Sequence, residues 1–144
     1  MARTNWLIIE SLENWKVDEK NGFLHFGFTK RFYRLKDLIK AGDQLFTYVT
    51  GVRAFSDIRE VTKDGLRTLP MGGDYERSLP YCIDTKVLLV LPRDSWLPIH
   101  DVKDQLNLTA GKKYWSMILR AAPRRIEEDD AELLAGVMQK KSQE

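Results

Sequence analysis

Two stretches of the chain gather cations around aromatic rings. Between Lys30 and Lys40 lie Lys30, Arg31, Arg34, Lys36 and Lys40, with Phe32 and Tyr33 among them and Asp37 as the one acid. Between Lys112 and Arg125 lie Lys112, Lys113, Arg120, Arg124 and Arg125, with Tyr114 and Trp115 and no acid at all. Guanidinium forks match phosphate oxygens, and ring faces replace the stacking that a base gives up when it leaves its neighbours. Either segment alone reads equally well as a solvated charged face. Two such segments, each holding aromatics, point to a binding surface, with Lys30, Arg31, Arg120, Arg124 and Arg125 as candidates for phosphate contacts. For Arg120 the competing expectation is an ion pair with one of the chain's acids.

Catalytic chemistry is poorly represented. Cys82 sits in Tyr81-Cys82-Ile83, where a small buried thiol is the default and nothing nearby activates it. His25 and His100 are the only histidines, and no metal-ligand spacing surrounds them. Gly72-Gly73 lacks the following lysine of a phosphate loop. Glu127-Glu128-Asp129-Asp130 reads as acids at a helix start, favoured there by the helix dipole. The expectation is a non-enzymatic protein without metal or cofactor.

The elements that must position these residues are short. Trp6-Leu7-Ile8-Ile9-Glu10 is a compact apolar run and predicts a buried first strand, with Trp6 in the core. Ser11 to Asn14 is turn- or cap-prone and leads into a short helical stretch at Trp15. Lys36 to Lys40 predicts one helical turn stopped by Gly42. Gln44 to Thr50 is the clearest strand, and Val52 to Thr62 is expected to pair back with it through Thr50-Gly51. Lys63 to Leu79, rich in glycine and proline, reads as a functional or mobile loop. Tyr81 to Leu91 is a further strand, and Trp96 is expected in the core. Pro98 to Leu106 predicts a helix with Ile99, Val102 and Leu106 on one face, and Tyr114 to Leu119 a shorter one. Ile126 to Gln139 is the best helix, burying Ile126, Leu133, Leu134, Val137 and Met138. Irregularly spaced strands joined by short helices argue for an α+β domain on a small, strongly bent sheet or barrel.

The 144 residues fit one domain, 1–144, and are 43% hydrophobic and 31% charged, values typical of a folded protein. Net charge is only +2, so the distribution of cations matters more than their total. A lone cysteine, no signal-like leader and no membrane-length apolar run together predict a cytoplasmic setting.

Three segments taken together resemble the EVE domain family: Asn5 to Trp15, Phe26-Gly27-Phe28-Thr29-Lys30, and Lys40 to Thr50. Trp96-Leu97-Pro98-Ile99, Lys112 to Ser116 and Leu119 to Ile126 are similar to further patterns of that family, so the likeness runs from about Trp6 to about Leu134. It implies a PUA-like fold, a bent, partly closed mixed β barrel with short peripheral helices, related to YTH domains that hold a methylated adenine in an aromatic cage. It implies as well a reader of modified bases in DNA or RNA. The family position supplying a stacking ring falls on Phe26, followed by Gly27. Trp15 and Ser11 lie close by, Ser11 as a hydrogen-bonding group for a base edge. The second cage wall falls on Leu69-Pro70-Met71, where Met71 stands in place of the usual tryptophan. Trp15 and Phe26 divide between packing and stacking roles, and Trp115 reads as a packed anchor.

Two readings follow. In the first, the protein is a nucleic-acid-binding module that takes a modified base into an aromatic pocket. In the second, it is an interaction protein or small-molecule pocket that has lost nucleic-acid binding. A positive rim around Phe26 favours the first and an acidic rim the second.

Overall fold

The computed structural model describes residues 3–68 and 79–144. β1 (Asn5–Glu10) is buried along almost its whole length, as its continuous apolar run requires, because it lies between two neighbours. It pairs in parallel with β3 (Gln44–Val49), Asn5 opposite Gln44 through Glu10 opposite Val49. β3 turns back antiparallel into β4 (Ala54–Val61), with Gly51 at φ +80° in the reversal. This is the hairpin expected at Thr50-Gly51.

β2 (His25–Phe28) runs antiparallel to the first half of β6 (Tyr81–Val90), and β4 pairs with the second half. β5 (Arg67–Thr68) joins β6 and β7 (Leu97–Pro98) joins β4. β8 (Arg124–Ile126) covers the outer edge of β1. Among the described residues these strands form one mixed sheet of order β2-β6-β4-β3-β1-β8. Register shifts at Thr47/Tyr48 and Ile58/Arg59 add local twist, which curls the sheet into a half-barrel.

The period of two along each strand sorts side chains onto two faces. Trp6, Ile8, Leu45, Phe26, Phe28 and Ile83 pack inside the curl with Leu35 and Ile39. Leu7, Phe46, Phe55, Trp96 and Ile99 pack outside it, under α3 (Glu128–Ser142) through Leu134 and Met138. Asp43 ties the sheet's start together. Its carboxylate accepts from the Trp6 indole at 3.0 Å and from the Thr4 and Lys40 amides at 2.9 and 3.0 Å. Asp43→Ala orphans a buried indole N–H and two amides, so urea unfolding is expected to show a loss of about 2 kcal/mol at unchanged m.

Several elements differ from the sequence expectation. The turn at 36–40 is instead the end of a longer 3₁₀ helix, Lys30–Asp37. The loop after β4 closes on it: the Gly65 amide donates to the Ile39 carbonyl at 2.9 Å. Gly65 has φ +73°, and the Lys36 carbonyl oxygen lies 2.7 Å from where a Cβ would stand. Ile99, Val102 and Leu106 are all buried as expected, but only Ile99–Asp101 forms a 3₁₀ turn. The following amides of Asn107 and Leu108 bond to the Asp130 carboxylate rather than continuing a helix. Ile126 ends β8, and α3 starts two residues later, its first turn holding Glu128, Asp129 and Asp130. The helix expected at 114–119 is α2 (Trp115–Ile118).

Candidate functional site

α1 (Leu12–Lys20) begins where β1 ends, and Ser11 caps it: its hydroxyl oxygen accepts the Asn14 amide at 3.1 Å. That junction faces β2 across a cavity of about 360 Å³. Ile8, Ile9, Glu10, Ser11 and Asn14 form one wall, and Phe26, Gly27, Phe28 and Thr29 the opposite one. Arg31 and Phe32 enter from the 3₁₀ helix, and Arg120, Ala122 and Pro123 from the segment before β8. The volume lies within the range of small-ligand pockets.

Phe26 is held by the β2–β6 register opposite Ile83 and meets Phe28 edge-on, with centroids 4.9 Å apart. Gly27, between them in the chain, also lines the cavity. Arg31 and Arg120 are exposed at the lining, and among the described residues neither makes an ion pair; the acid expected as a partner of Arg120 is not found.

Behind the wall lies a buried charge cluster. Arg59 is fully buried and donates to Asp57 at 2.7 Å, Asp18 at 2.8 Å and Glu10 at 3.0 Å. Asp57 also accepts from Thr47, Ser56 and the Trp15 indole. Burial works against the charge of Arg59, and its three carboxyl partners outweigh this and hold it well above the usual range. Burial pushes the Glu10 carboxyl well above its usual range, the neighbouring Asp18 adds to this, and Arg59 opposes.

Of the residues singled out in the sequence, Ser11, Phe26, Gly27, Arg31 and Arg120 converge on this cavity. Trp15 does not. It is 5% exposed, packs against Phe23 and Trp96 and donates its indole N–H to Asp57 at 2.8 Å. One helical turn carries it past the cavity, and its buried indole N–H finds its acceptor in Asp57. Lys30, Arg124 and Arg125 do not line the cavity either. Arg124 reaches back to the Ile118 carbonyl, and Arg125 lies over the Trp6 ring. Leu69, Pro70 and Met71 lie outside the described residues.

Glu10, Asn14, Thr29 and Phe32 were not foreseen. Asn14 was the legible one, since it sits three residues after a capping serine, on the first turn beside the strand end. A second recess of about 600 Å³ lies between α1 and the end of β6, lined by Leu12, Trp15, Lys16, Glu19 and residues 90–93. It is larger, yet its charged groups are all on exposed side chains, whereas the first cavity has polar groups fixed in its wall.

Cys82 is fully buried, and burial pushes its thiol up from its ordinary value. His100 packs edge-on to Trp115. Among the described residues no cluster of His, Cys, Asp and Glu has the makings of a metal site, and no helix is long and apolar enough to cross a membrane.

No family model and no curated protein matches the chain. Solved structures do. The Pho92 YTH domain in complex with m6A superposes with a TM-score of 0.67 at 16% identity, over 95% of this chain and 84% of that one. The YTH domain of Zygosaccharomyces rouxii MRB1 protein, in complex with N6-methyladenosine RNA, gives 0.63 at 16% identity, over 94% and 86%. The chain shares the fold of YTH domains. A hypothetical protein from Leishmania major is similar too, with a TM-score of 0.66 at 11% identity over 97% of both chains. The curled mixed sheet with short helices is thus the PUA-like α+β fold that YTH domains also have.

Proposed function

We propose that the protein is a non-enzymatic nucleic-acid-binding module of the EVE type that takes one unpaired or flipped, methylated base into the cavity beside Phe26. The observation carrying this reading is a cavity with aromatic walls and two arginines, free of ion pairs among the described residues, at its lining. Phe26 stacks on the base, and Ser11 and Asn14 address its polar edge. Arg31 and Arg120 take the phosphates on either side. Two YTH domains of the same fold hold methylated adenine, which supports N6-methyladenine as the first ligand to try. The alternative of a pocket that has abandoned nucleic acid is disfavoured by the rim, because Arg31 and Arg120 at the lining are cationic.

The test is an affinity panel at two salt concentrations. Single-stranded RNA and DNA oligonucleotides carry N6-methyladenine, 5-methylcytosine or 5-hydroxymethylcytosine against unmodified twins. Selective retention of one modified oligonucleotide is expected; equal affinity across the panel overturns the reading. In the same assay Arg31→Ala and Arg120→Ala are each expected to make the log affinity against log salt slope shallower by about 0.7, the value for one phosphate contact on a single strand. A slope equal to that of the unsubstituted protein removes the corresponding arginine from the phosphate role.

A further inference from the structure

The segment between residues 114 and 120 exposes more apolar surface than its packing requires. Tyr114 is 67% exposed and Met117 is 58% exposed, whereas the adjacent Leu119 is buried. Trp115 turns inward onto the outer core and is flanked by His100 and by the Lys103 ammonium. The Met117 amide donates to the Tyr114 carbonyl at 3.0 Å and the Arg120 amide to the Met117 carbonyl at 3.1 Å. Successive i to i+3 bonds set side chains three apart on one face, so Tyr114, Met117 and Arg120 form a ridge. It spans about 9–12 Å at helical rises of 1.5–2.0 Å per residue. Arg120 is at once the end of the ridge and part of the cavity lining. Lys113 lies 5.4 Å from the centroid of the Tyr114 ring, and no acid occurs between Gln105 and Glu127 in the sequence.

We propose that this ridge is a binding track for the nucleotides adjoining the one in the cavity, with Tyr114 as a stacking platform for a neighbouring base. Arg120 holds the phosphate at the cavity mouth, Met117 packs along the sugar or base, and Lys113 neutralises a phosphate beside Tyr114. At about 3.4 Å per stacked nucleotide the ridge accommodates roughly three nucleotides. Among the described residues the other exposed tyrosine is less suited: Tyr33 is already engaged by the Tyr81 ring at 4.7 Å and by the Lys36 ammonium at 4.6 Å. The track rests on the reading of the cavity as a nucleotide site, and it adds a sequence-tolerant contact, because every base offers a face.

The two can fail separately. Fluorescence anisotropy compares a labelled RNA nonamer with a central N6-methyladenine with the free nucleoside N6-methyladenosine as competitor. Tyr114→Ala with Met117→Ala is expected to weaken nonamer binding about tenfold, the loss typical of one stacked base, and to leave competition by the nucleoside unchanged. Tyr114→Phe restores nonamer affinity, and both positions are exposed, so folding is preserved. If the double variant binds the nonamer like the unsubstituted protein while Phe26→Leu loses it, the track is refuted and the cavity reading stands. If Phe26→Leu has no effect and the double variant loses the nonamer, the ridge binds nucleic acid and the cavity reading fails.

Discussion

Arg59→Met is expected to lower the unfolding free energy by about 3–5 kcal/mol, a large share of the stability of a domain this size. The guanidinium is fully buried, and removing it leaves Asp57, Asp18 and Glu10 facing one another with no cation between them. Asp57 keeps Thr47, Ser56 and Trp15 as donors, whereas Asp18 and Glu10 lose their guanidinium partner. Urea titration followed by circular dichroism reads the loss, and a change below about 1 kcal/mol would mean that the cluster is not the internal support described here. The pH dependence has a definite sign. Glu10 holds its proton when folded above the ordinary value of about 4.5 at which it is lost when unfolded. As pH rises through that window the unfolded chain releases a proton that the folded one retains, so stability falls, by at most about 1.4 kcal/mol per pH unit. Glu10→Gln keeps the shape without the titration and is expected to flatten this decline.

Phe26 carries the largest expected effect on binding. Replacing its ring by leucine removes the stacking face while keeping an apolar side chain, and should weaken retention of the preferred modified oligonucleotide about 5- to 140-fold, corresponding to ~1–3 kcal/mol. Leucine is the informative choice. Phe26 is 5% exposed and packs on Phe28, so alanine would leave a void in the inner core and mix lost folding with lost binding. Trp15→Phe supplies the contrast. It deletes the indole donor to Asp57, lowering stability, and is expected to leave oligonucleotide affinity unchanged because Trp15 stands outside the cavity. Equal affinity for Phe26→Leu and the parent protein would move the base-binding site elsewhere.

The strands whose own composition demands burial were legible in the sequence. β1, the β3–β4 hairpin and β6 are dense in apolar, β-branched and aromatic residues, and the structure places them as read. β8 was not legible, because Arg124-Arg125-Ile126 has no strand signature of its own and pairs only because the edge of β1 is available. The 99–106 stretch showed the right buried positions and the wrong conformation, since apolar spacing reports a face and not the hydrogen bonds behind it. Half of the candidate site followed the same rule. Phe26 and Gly27 were placed by the family resemblance and Ser11 by its position at the end of the first strand, while the upward shift of the Glu10 carboxyl comes from its burial and from Asp18 beside it, against the opposing Arg59, 49 positions away in sequence. The acceptor that fixes the Trp15 indole, Asp57, lies 42 positions downstream, where local sequence gives no sign of it.

Gly65 gives the cavity a remote dependency. Any residue bearing a β-carbon there would run into the main chain of the 3₁₀ helix that delivers Arg31 and Phe32, and a carbonyl cannot swing aside as a lysine tail can. A helix that borders the cavity is therefore seated against the smallest amino acid. Among descendants of this sequence, a lineage that abandons glycine at that position must have reseated the helix, and the shape of the cavity should have drifted with it.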